Sequence, residues 1–455
     1  MMKARISNKL YITNYSMELI EWCQKHLVLD NPDYYVAEKM GRWLGNIEKY
    51  LYLYEANGSK LVLPFGVIDE IWQPFLSGKC EEIVPDFAPE KALNMKGDIN
   101  LYPYQEQATA ALKIAKNGIL EAPCGSGKTQ IGIALIAALG QKALWITHTT
   151  DLLKQSMERA KQYFQGDFGV ITDGKVSIGE DITFATVQTL AKLDLTQYNT
   201  EWPVVIVDEC HRAAGTPTKV KQFYKVLSHL KARHKYGLSA TLDRADGLIQ
   251  SVFALLGQIK FVIKQEQVGE KIIRANHNVI ASSLEDDVEA YCDTDGTLIY
   301  NKLIDYISGD PDRNELIARN IASKAHRHHL VLSHRVEHLR VLEGLLSGLG
   351  IQSAMICGST PKAQRDQVLD QARSGQLPVL LATYSLAKEG LDIPVLDTLH
   401  LTTPNKNKSI VIQSVGRVER NFDGKVVPEV CDYVDFEISY CLGMYKKRKN
   451  IIARR

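Results

Sequence analysis

The segment Val204 to His211, VVIVDECH, sets two carboxylates beside a thiol and an imidazole. Such a group could hold a metal, offer a thiolate nucleophile, or manage a phosphate. The four residues before Asp208 are all apolar and β-branched. A run of that kind reads as a strand buried on both faces of a parallel sheet. Asp208 and Glu209 then fall at its carboxyl end, where open α/β sheets receive their ligands. That placement favours phosphate and magnesium chemistry, which needs a phosphate loop elsewhere in the chain.

The segment APCGSGKT, Ala122 to Thr129, supplies one, with Ala122 standing where a first glycine is usual. Gly125 and Gly127, on either side of Ser126, let the backbone curl until its N–H groups point inward at a phosphate. Lys128 reaches the β- and γ-phosphates as a point charge, and Thr129 can offer its hydroxyl to Mg²⁺. The loop follows a strand pattern and opens a helical one, whose positive N-terminal end adds to the cradle. With the loop in place, Asp208 is expected to hold the magnesium. Glu209 is expected to orient and deprotonate the attacking water. His211 reads as a sensor of the nucleotide state, and Cys210 as a small buried filler.

The elements that must position these groups follow from the texture of the chain. From Leu101 onward, helix QEQATAALKIAKN leads into the loop, and helix QIGIALIAALG leaves it. ALWIT, ITFAT, VVIVDE and KYGLSAT follow as short strands with helical patterns between most of them. A second alternation begins near Leu330 with LVLS, SAMICG, PVLLAT, TLHLTT and VCDYVD. Strands alternating with helices predict parallel sheets. Before them, SMELIEWCQKHL has helical spacing, and Lys49 to Gly66 reads as two β-rich runs around Asn57-Gly58, a strong hairpin signal. The reading is α/β: two tandem parallel-sheet domains, 98–265 and 266–440, after a small α+β region, 1–97. Residues 86–100 read as a linker, 441–455 as a basic tail, and the acidic stretch 285–312 carries no clear pattern.

Composition sets limits on the chemistry. The 455 residues suit roughly three domains of ~150 each. A formal net charge of +1 gives no global electrostatic footprint, so nucleic acid would have to be met by local grooves. The eight cysteines contain no CxxC pair, which argues against structural zinc and a disulfide framework. No signal peptide and no apolar run of ~18 residues appear, so a reducing, cytosolic setting is expected.

APCGSGKT, DECH, SAT (Ser239 to Thr241) and QSVGRVER (Gln413 to Arg420), in that order, resemble motifs I, II, III and VI of the superfamily 2 helicases. VIVDECHRAAG and GLSATLDRADG look most like the branch that holds the XPB/RadD-type and phage UvsW-type enzymes. The resemblance covers about residues 98 to 440. It implies two RecA-like domains with ATP between them and nucleic acid across both. By the same resemblance, Gln105 in LYPYQEQA recognises adenine. His148 and Thr149 (where Pro-Thr is usual), Thr186 and Gln188, Gly358, and Thr383 meet the DNA strand. Gly390, Asp392 and Gln413 lie toward ATP, and Arg417 and Arg420 are arginine-finger candidates. Ser414 and Glu419 depart from the common form of motif VI. His334 and His338 stand four apart, but without the Glu of an HExxH pattern they do not read as a metal site.

The function implied is an ATP-dependent DNA helicase or translocase that remodels forks and junctions. Two alternatives stand beside it: an RNA helicase, and a catalytically silent subunit that binds nucleic acid. The N-terminal region is expected to select the substrate, through exposed aromatics such as Tyr50, Tyr52 or Tyr54. Its deletion is expected to spare single-strand-stimulated ATPase while reducing the unwinding of junctions.

Overall fold

The strand before the phosphate loop, Gly118–Glu121, lies in an eight-stranded sheet beside the strand His234–Ser239, and next to that lies Val204–Asp208. The structure is a computed structural model. It describes all residues except 1, 46, 124, 217–220, 243–245, 270–272, 389–390, 392, 423 and 454–455. Two compact units make up the chain, residues 1–267 and 268–455.

In the first unit the sheet order is 175–177, 168–172, 182–186, 143–147, 204–208, 234–239, 118–121, 259–262. Only Lys175–Ser177 runs antiparallel to its neighbour. Trp145, Phe184 and Ile206 are buried, as are Leu144, Val205 and Val207, so both faces of the central strands are covered. Their continuous apolar texture follows from that burial. The second unit holds six strands, all parallel, in the order 276–281, 429–434, 398–401, 329–333, 379–383, 353–356. Both sheets are α/β, as the alternation implies.

The N-terminal residues form a five-stranded sheet, in the order 55–57, 60–64, 9–13, 2–6, 80–85. The hairpin exists, but its turn is Gly58-Ser59, with Asn57 paired to Lys60 and Gly58 at φ +57. The two β-rich runs do not form one hairpin. Tyr50–Tyr52 pairs with Val28–Asp30 instead, with Leu51 buried and Leu53 in the local core. Tyr50 and Tyr52 are exposed on the other side, while Tyr54 packs against that core.

Residues 86–100 are not a free linker. The buried Asp181 carboxylate accepts from the backbone N–H groups of Asn94 (2.6 Å), Met95 (3.1 Å) and Asp167 (2.8 Å). Lys142 N–H donates to Lys91 O at 2.7 Å, and Ala88 N–H to Lys231 O at 2.8 Å. Lys91 and Lys142 both reach Glu201, at 2.8 and 2.7 Å. A segment of little pattern is thus held by long-range polar contacts.

The N-terminal sheet is also fastened to the strand that ends at Ser239. At Gly66 an added Cβ would stand 2.2 Å from Phe253 O, so only glycine allows this approach to the helix Ile249–Leu256. Lys235, wholly buried, donates to Leu227 O (2.9 Å) and Asn8 O (3.3 Å) and lies 4.8 Å from the Phe65 ring centre. Removing residues 1–97 would uncover this lysine and the backbone against Gly66. Deleting residues 1–97 would therefore also disturb the first parallel sheet, and point substitutions probe this region without that cost.

Burial lowers Lys235 to about 7, whereas in the unfolded chain a lysine keeps its proton to about 10.4. Between those values the unfolded state binds more protons, so this residue makes stability rise with pH. The neutral amine still has N–H groups for both carbonyls. Relative to Lys235→Met, the wild type should gain up to about 1.4 kcal/mol per pH unit from pH 7.5 to 9.5. Denaturant unfolding of both chains across that range checks this, and parallel pH profiles would refute it.

In the second unit the acidic stretch forms the helices Val288–Tyr291 and Tyr300–Gly309. With the final helix, Ser439–Ala453, they bury Tyr291, Leu303, Ile307, Cys441 and Met444 in a small core. The basic end is therefore not a loose solvated tail. Arg448 is buried, and its guanidinium donates to Asp432 at 2.6 to 3.1 Å. Arg313 and Asp435 make a second buried pair at 2.6 Å. His338 bridges Ser333 Oγ (2.9 Å) and Asn314 Oδ1 (2.8 Å), while His334 turns to Thr403 Oγ1 (2.8 Å). The two imidazoles serve separate networks and do not converge on an ion.

Candidate functional site

The phosphate loop is built by two glycines in left-handed conformation, Gly125 (φ +81) and Gly127 (φ +79). Gly127 is the N-cap of the helix Lys128–Leu139 and offers no side chain to it, so the first N–H groups remain available for an anion. Lys128 Nζ donates to Ala122 O (3.1 Å) and Pro123 O (3.4 Å) across the loop. Ser126 Oγ is buried and has no hydrogen-bond partner among the described residues. A cradle with an unspent hydroxyl, an ammonium and a bare helix end fits a polyphosphate.

Gln105 is buried, not a solvated cap. Its Oε1 accepts from Tyr102 N–H at 3.0 Å, and its Nε2 donates to Ser126 O at 2.8 Å. It thereby ties the start of the helix Pro103–Ala115 to the loop. A Cβ on Gly127 would come within 2.3 Å of that Nε2 and displace it, while the left-handed φ is what favours glycine there.

Asp208 ends its strand almost fully buried. Desolvation, and then the charge of Glu209, push it up to about 7 against the pull of Lys128. An oxygen donor held in this way suits a hard cation shared with the Thr129 hydroxyl at the head of the helix. Glu209 has left the strand at φ +50, and its N–H donates to Asp208 Oδ1 at 2.9 Å. Its carboxylate lies 3.2 Å from His211 Nδ1, which in turn lies 3.0 Å from Ser239 Oγ. Ser239 Oγ donates to Thr241 O at 2.7 Å. The acid pair, the histidine and the SAT segment thus form one connected group. Cys210 packs over Gly237, where an added Cβ would meet its Sγ at 2.7 Å. Burial raises the thiol well above its usual range, so it is no nucleophile.

The DNA-strand candidates of this unit lie at the same sheet edge. His148 and Thr149 follow the strand Ala143–Thr147; Thr186 ends the adjacent strand, and Gln188 comes just after it. Gln188 Nε2 donates to His148 O at 2.9 Å, and Thr149 caps the next helix by accepting from Leu152 N–H at 3.3 Å. Thr186 Oγ1 meets Thr189 Oγ1 at 3.1 Å. The nucleotide residues sit on strands 118–121, 204–208 and 234–239, and these four on the pair next to them.

In the second unit Gly358, exposed, follows the strand Ser353–Ile356, and Thr383 ends the adjacent strand Val379–Thr383. Gly390 and Asp392 lie outside the described residues. Gln413 and Arg417 lie on the helix Lys408–Val418, and Arg420 comes two residues after its end. Gln413 is buried, and its Oε1 has no hydrogen-bond partner among the described residues. Glu419, the departure from the common motif, is buried and accepts from Ala275 N–H at 3.2 Å through Oε1. Its own carbonyl accepts from Ile273 N–H at 3.0 Å. The departure anchors the chain where it enters this unit, a role with no signal in the sequence.

Comparison with known proteins agrees with this geometry. Residues 98–244 match the family model of the type III restriction enzyme res subunit, and residues 312–422 that of the helicase conserved C-terminal domain. The probable helicase D10 of Escherichia phage T5 is 26% identical over 95% of this chain and 90% of its own. The ATP-dependent DNA helicase uvsW of Enterobacteria phage T4 is 24% identical over 87% and 82%. Among solved structures, Saccharomyces cerevisiae Dbp5 bound to RNA and ADP BeF3 shares the fold, with a TM-score of 0.57, 15% identity, and coverage of 78% and 88%. The order of the motifs, the joined acid, histidine and SAT groups, and these matches place the chain among the superfamily 2 ATP-dependent helicases, in the UvsW/XPB-like branch.

Proposed function

We propose that the chain is a DNA translocase that uses ATP with Mg²⁺ to remodel branched DNA, such as forks and four-way junctions, in replication, recombination or repair. The observation that carries it is the sheet edge of the first unit. There the loop, the acid pair and His211 sit beside Thr149, Thr186 and Gln188, so nucleotide state and strand grip share one rigid frame. The similarity to a phage DNA helicase over most of both chains supports DNA as the track. Retention of Lys128, Asp208, Glu209, Arg417 and Arg420 speaks against a catalytically silent subunit. The setting that fits is the cytoplasm, and no helix among the described residues is long and apolar enough to cross a membrane.

In this reading Gln105 meets the adenine, while Gly125, Ser126, Gly127 and Lys128 cradle the phosphates. Thr129 and Asp208 would hold Mg²⁺, which neutralises charge on the β- and γ-phosphate oxygens when bound. Glu209 orients the attacking water, and His211 passes the nucleotide state to Ser239. Arg417 and Arg420 supply positive charge to the transferring phosphoryl from the other unit, with Gly390, Asp392 and Gln413 nearby in sequence motifs of the same unit. His148, Thr149, Thr186, Gln188, Gly358 and Thr383 then hold the strand, and alternating grip converts turnover into stepping.

Arg417→Ala or Arg420→Ala should lower ATP turnover ~10³-fold or more with little change in ATP affinity, as groups acting in the transition state do. Steady-state kinetics with nucleotide-binding titrations checks this; full activity in both variants would remove the finger from this motif. The function itself is tested by strand-displacement assays on DNA forks, four-way junctions and RNA duplexes. ATP-dependent processing of the DNA junctions, with little on RNA, is expected. Equal action on RNA would overturn the DNA reading, and single-strand ATPase without junction processing would overturn the branched-substrate reading.

A further inference from the structure

One face of the N-terminal sheet packs on its own core through Ala4, Ile6, Leu10, Ile12, Leu61 and Leu63. Alternation sends Lys3, Arg5, Tyr11, Thr13, Lys60, Val62, Glu82 and Val84 to the opposite face, where they line an open trough of about 410 Å³. That volume lies within the ~300–1,000 Å³ of sites that take a small molecule or one residue of a polymer. Its floor is aromatic and aliphatic. The Arg5 guanidinium stands 4.4 Å from the centre of the Tyr11 ring.

The trough carries three cations, Lys3, Arg5 and Lys60, against the single carboxylate of Glu82. Lys3 meets Glu82 at 3.3 Å and Glu81 at 4.0 Å, and Arg5 meets Asp86 at 3.7 Å, with these side chains 32 to 55% exposed. Such pairs are worth little and exchange readily for another anion. Lys60 has no ion pair among the described residues. These cations sit in a region whose total charge is slightly acidic, so their grouping is a local feature. A flat sheet with an aromatic ring at its centre and cations at its rim has the chemistry for stacking a base while holding phosphates. An apolar small molecule would have no use for the cations, and an acidic protein none for the ring.

We propose that this open sheet face is a second nucleic-acid site, one that takes a single strand with a base stacked on the Arg5–Tyr11 pair and phosphates on Lys3 and Lys60. The inference rests on the reading of the chain as a translocase on nucleic acid. Lys235 fixes this sheet to the strand ending at Ser239 and Gly66 fixes it to the helix Ile249–Leu256, so a strand held here stays in place relative to the ATP site. One arm of a branch is thereby anchored while the other is moved.

The test uses the full chain, fluorescein-labelled oligo-dT and anisotropy across a salt series. Lys3→Ala with Lys60→Ala should lower affinity and reduce the salt slope by ~1.4, because each phosphate contact on a single strand contributes ~0.7. Tyr11→Ala should lower affinity roughly tenfold through lost stacking, and Tyr11→Phe should restore it. An oligonucleotide carrying 5-iododeoxyuridine should cross-link on irradiation to the peptide that contains Tyr11. The maximal ATPase rate at saturating oligo-dT should be unchanged in all these variants. Unaltered affinity and no cross-link at Tyr11 would overturn the proposal, as would a loss confined to duplex DNA, which would make the face a duplex site. A wild-type ATPase that no nucleic acid stimulates would instead defeat the translocase reading, a result independent of where the cross-link falls.

Discussion

Lys128→Ala should abolish ATP turnover, lowering kcat by ~10²–10³-fold or more, the scale set by removing one donor aimed at transition-state charge. Nothing else in the loop can take its place. Gly125, Ser126 and Gly127 contribute N–H groups and one hydroxyl, but no other full charge. The ammonium is held over the loop by the carbonyls of Ala122 and Pro123, so it is aimed before a phosphate arrives. Its loss also removes a positive charge that counters the burial of Asp208. The fold should survive, because the buried face of the helix Lys128–Leu139 is unchanged. Affinity for single-stranded DNA should stay near that of the wild type, since His148, Thr149, Thr186 and Gln188 lie on the neighbouring strands. A coupled ATPase assay with oligo-dT, alongside anisotropy, measures both. ATPase within a few fold of the wild type would remove Lys128 from the site.

Glu209→Gln should bind ATP and fail to hydrolyse it, with turnover reduced ~10²–10⁴-fold, the usual contribution of a positioned general base. The substitution keeps the shape of the side chain and the φ +50 turn, which a shorter residue would also keep, but it takes away proton affinity. It also replaces the acceptor 3.2 Å from His211 Nδ1 with an amide that can face either way. The link from Glu209 through His211 to Ser239 should weaken, so stimulation by DNA should fall along with the basal rate. Pre-steady-state measurement of bound ATP and released phosphate separates these effects. Normal turnover would mean that the base lies elsewhere, and Glu121, on the strand beside Ser239, would be the next candidate.

The chemistry was legible in the sequence because it is local. A loop that curls around phosphate needs glycines two apart, and an acid pair at a sheet edge needs a β-branched run before it. Both requirements are satisfied within eight residues, so spacing alone reveals them. The same holds for the strands of the two sheets, whose apolar runs record burial on both faces. Only tertiary structure decided the rest, because it depends on partners far away in the chain. Lys235 looks like an ordinary solvated strand end until Phe65 and Asn8 close over it. The patternless stretch 86–100 is ordered by Asp181, 86 and 87 residues beyond the two N–H groups it accepts from. The basic tail is a helix because Arg448 finds Asp432 inside the second unit, and His338 is structural because Ser333 and Asn314 meet it from two other elements. Period-two alternation put Tyr50, Tyr52 and Tyr54 on one face and Leu51 and Leu53 on the other, but it could not say which side was core. Leu51 and Leu53, buried with Leu27 and Leu61, decided that. Local backbone and charge requirements leave a short-range trace in a sequence, whereas burial is a property of what the chain folds against.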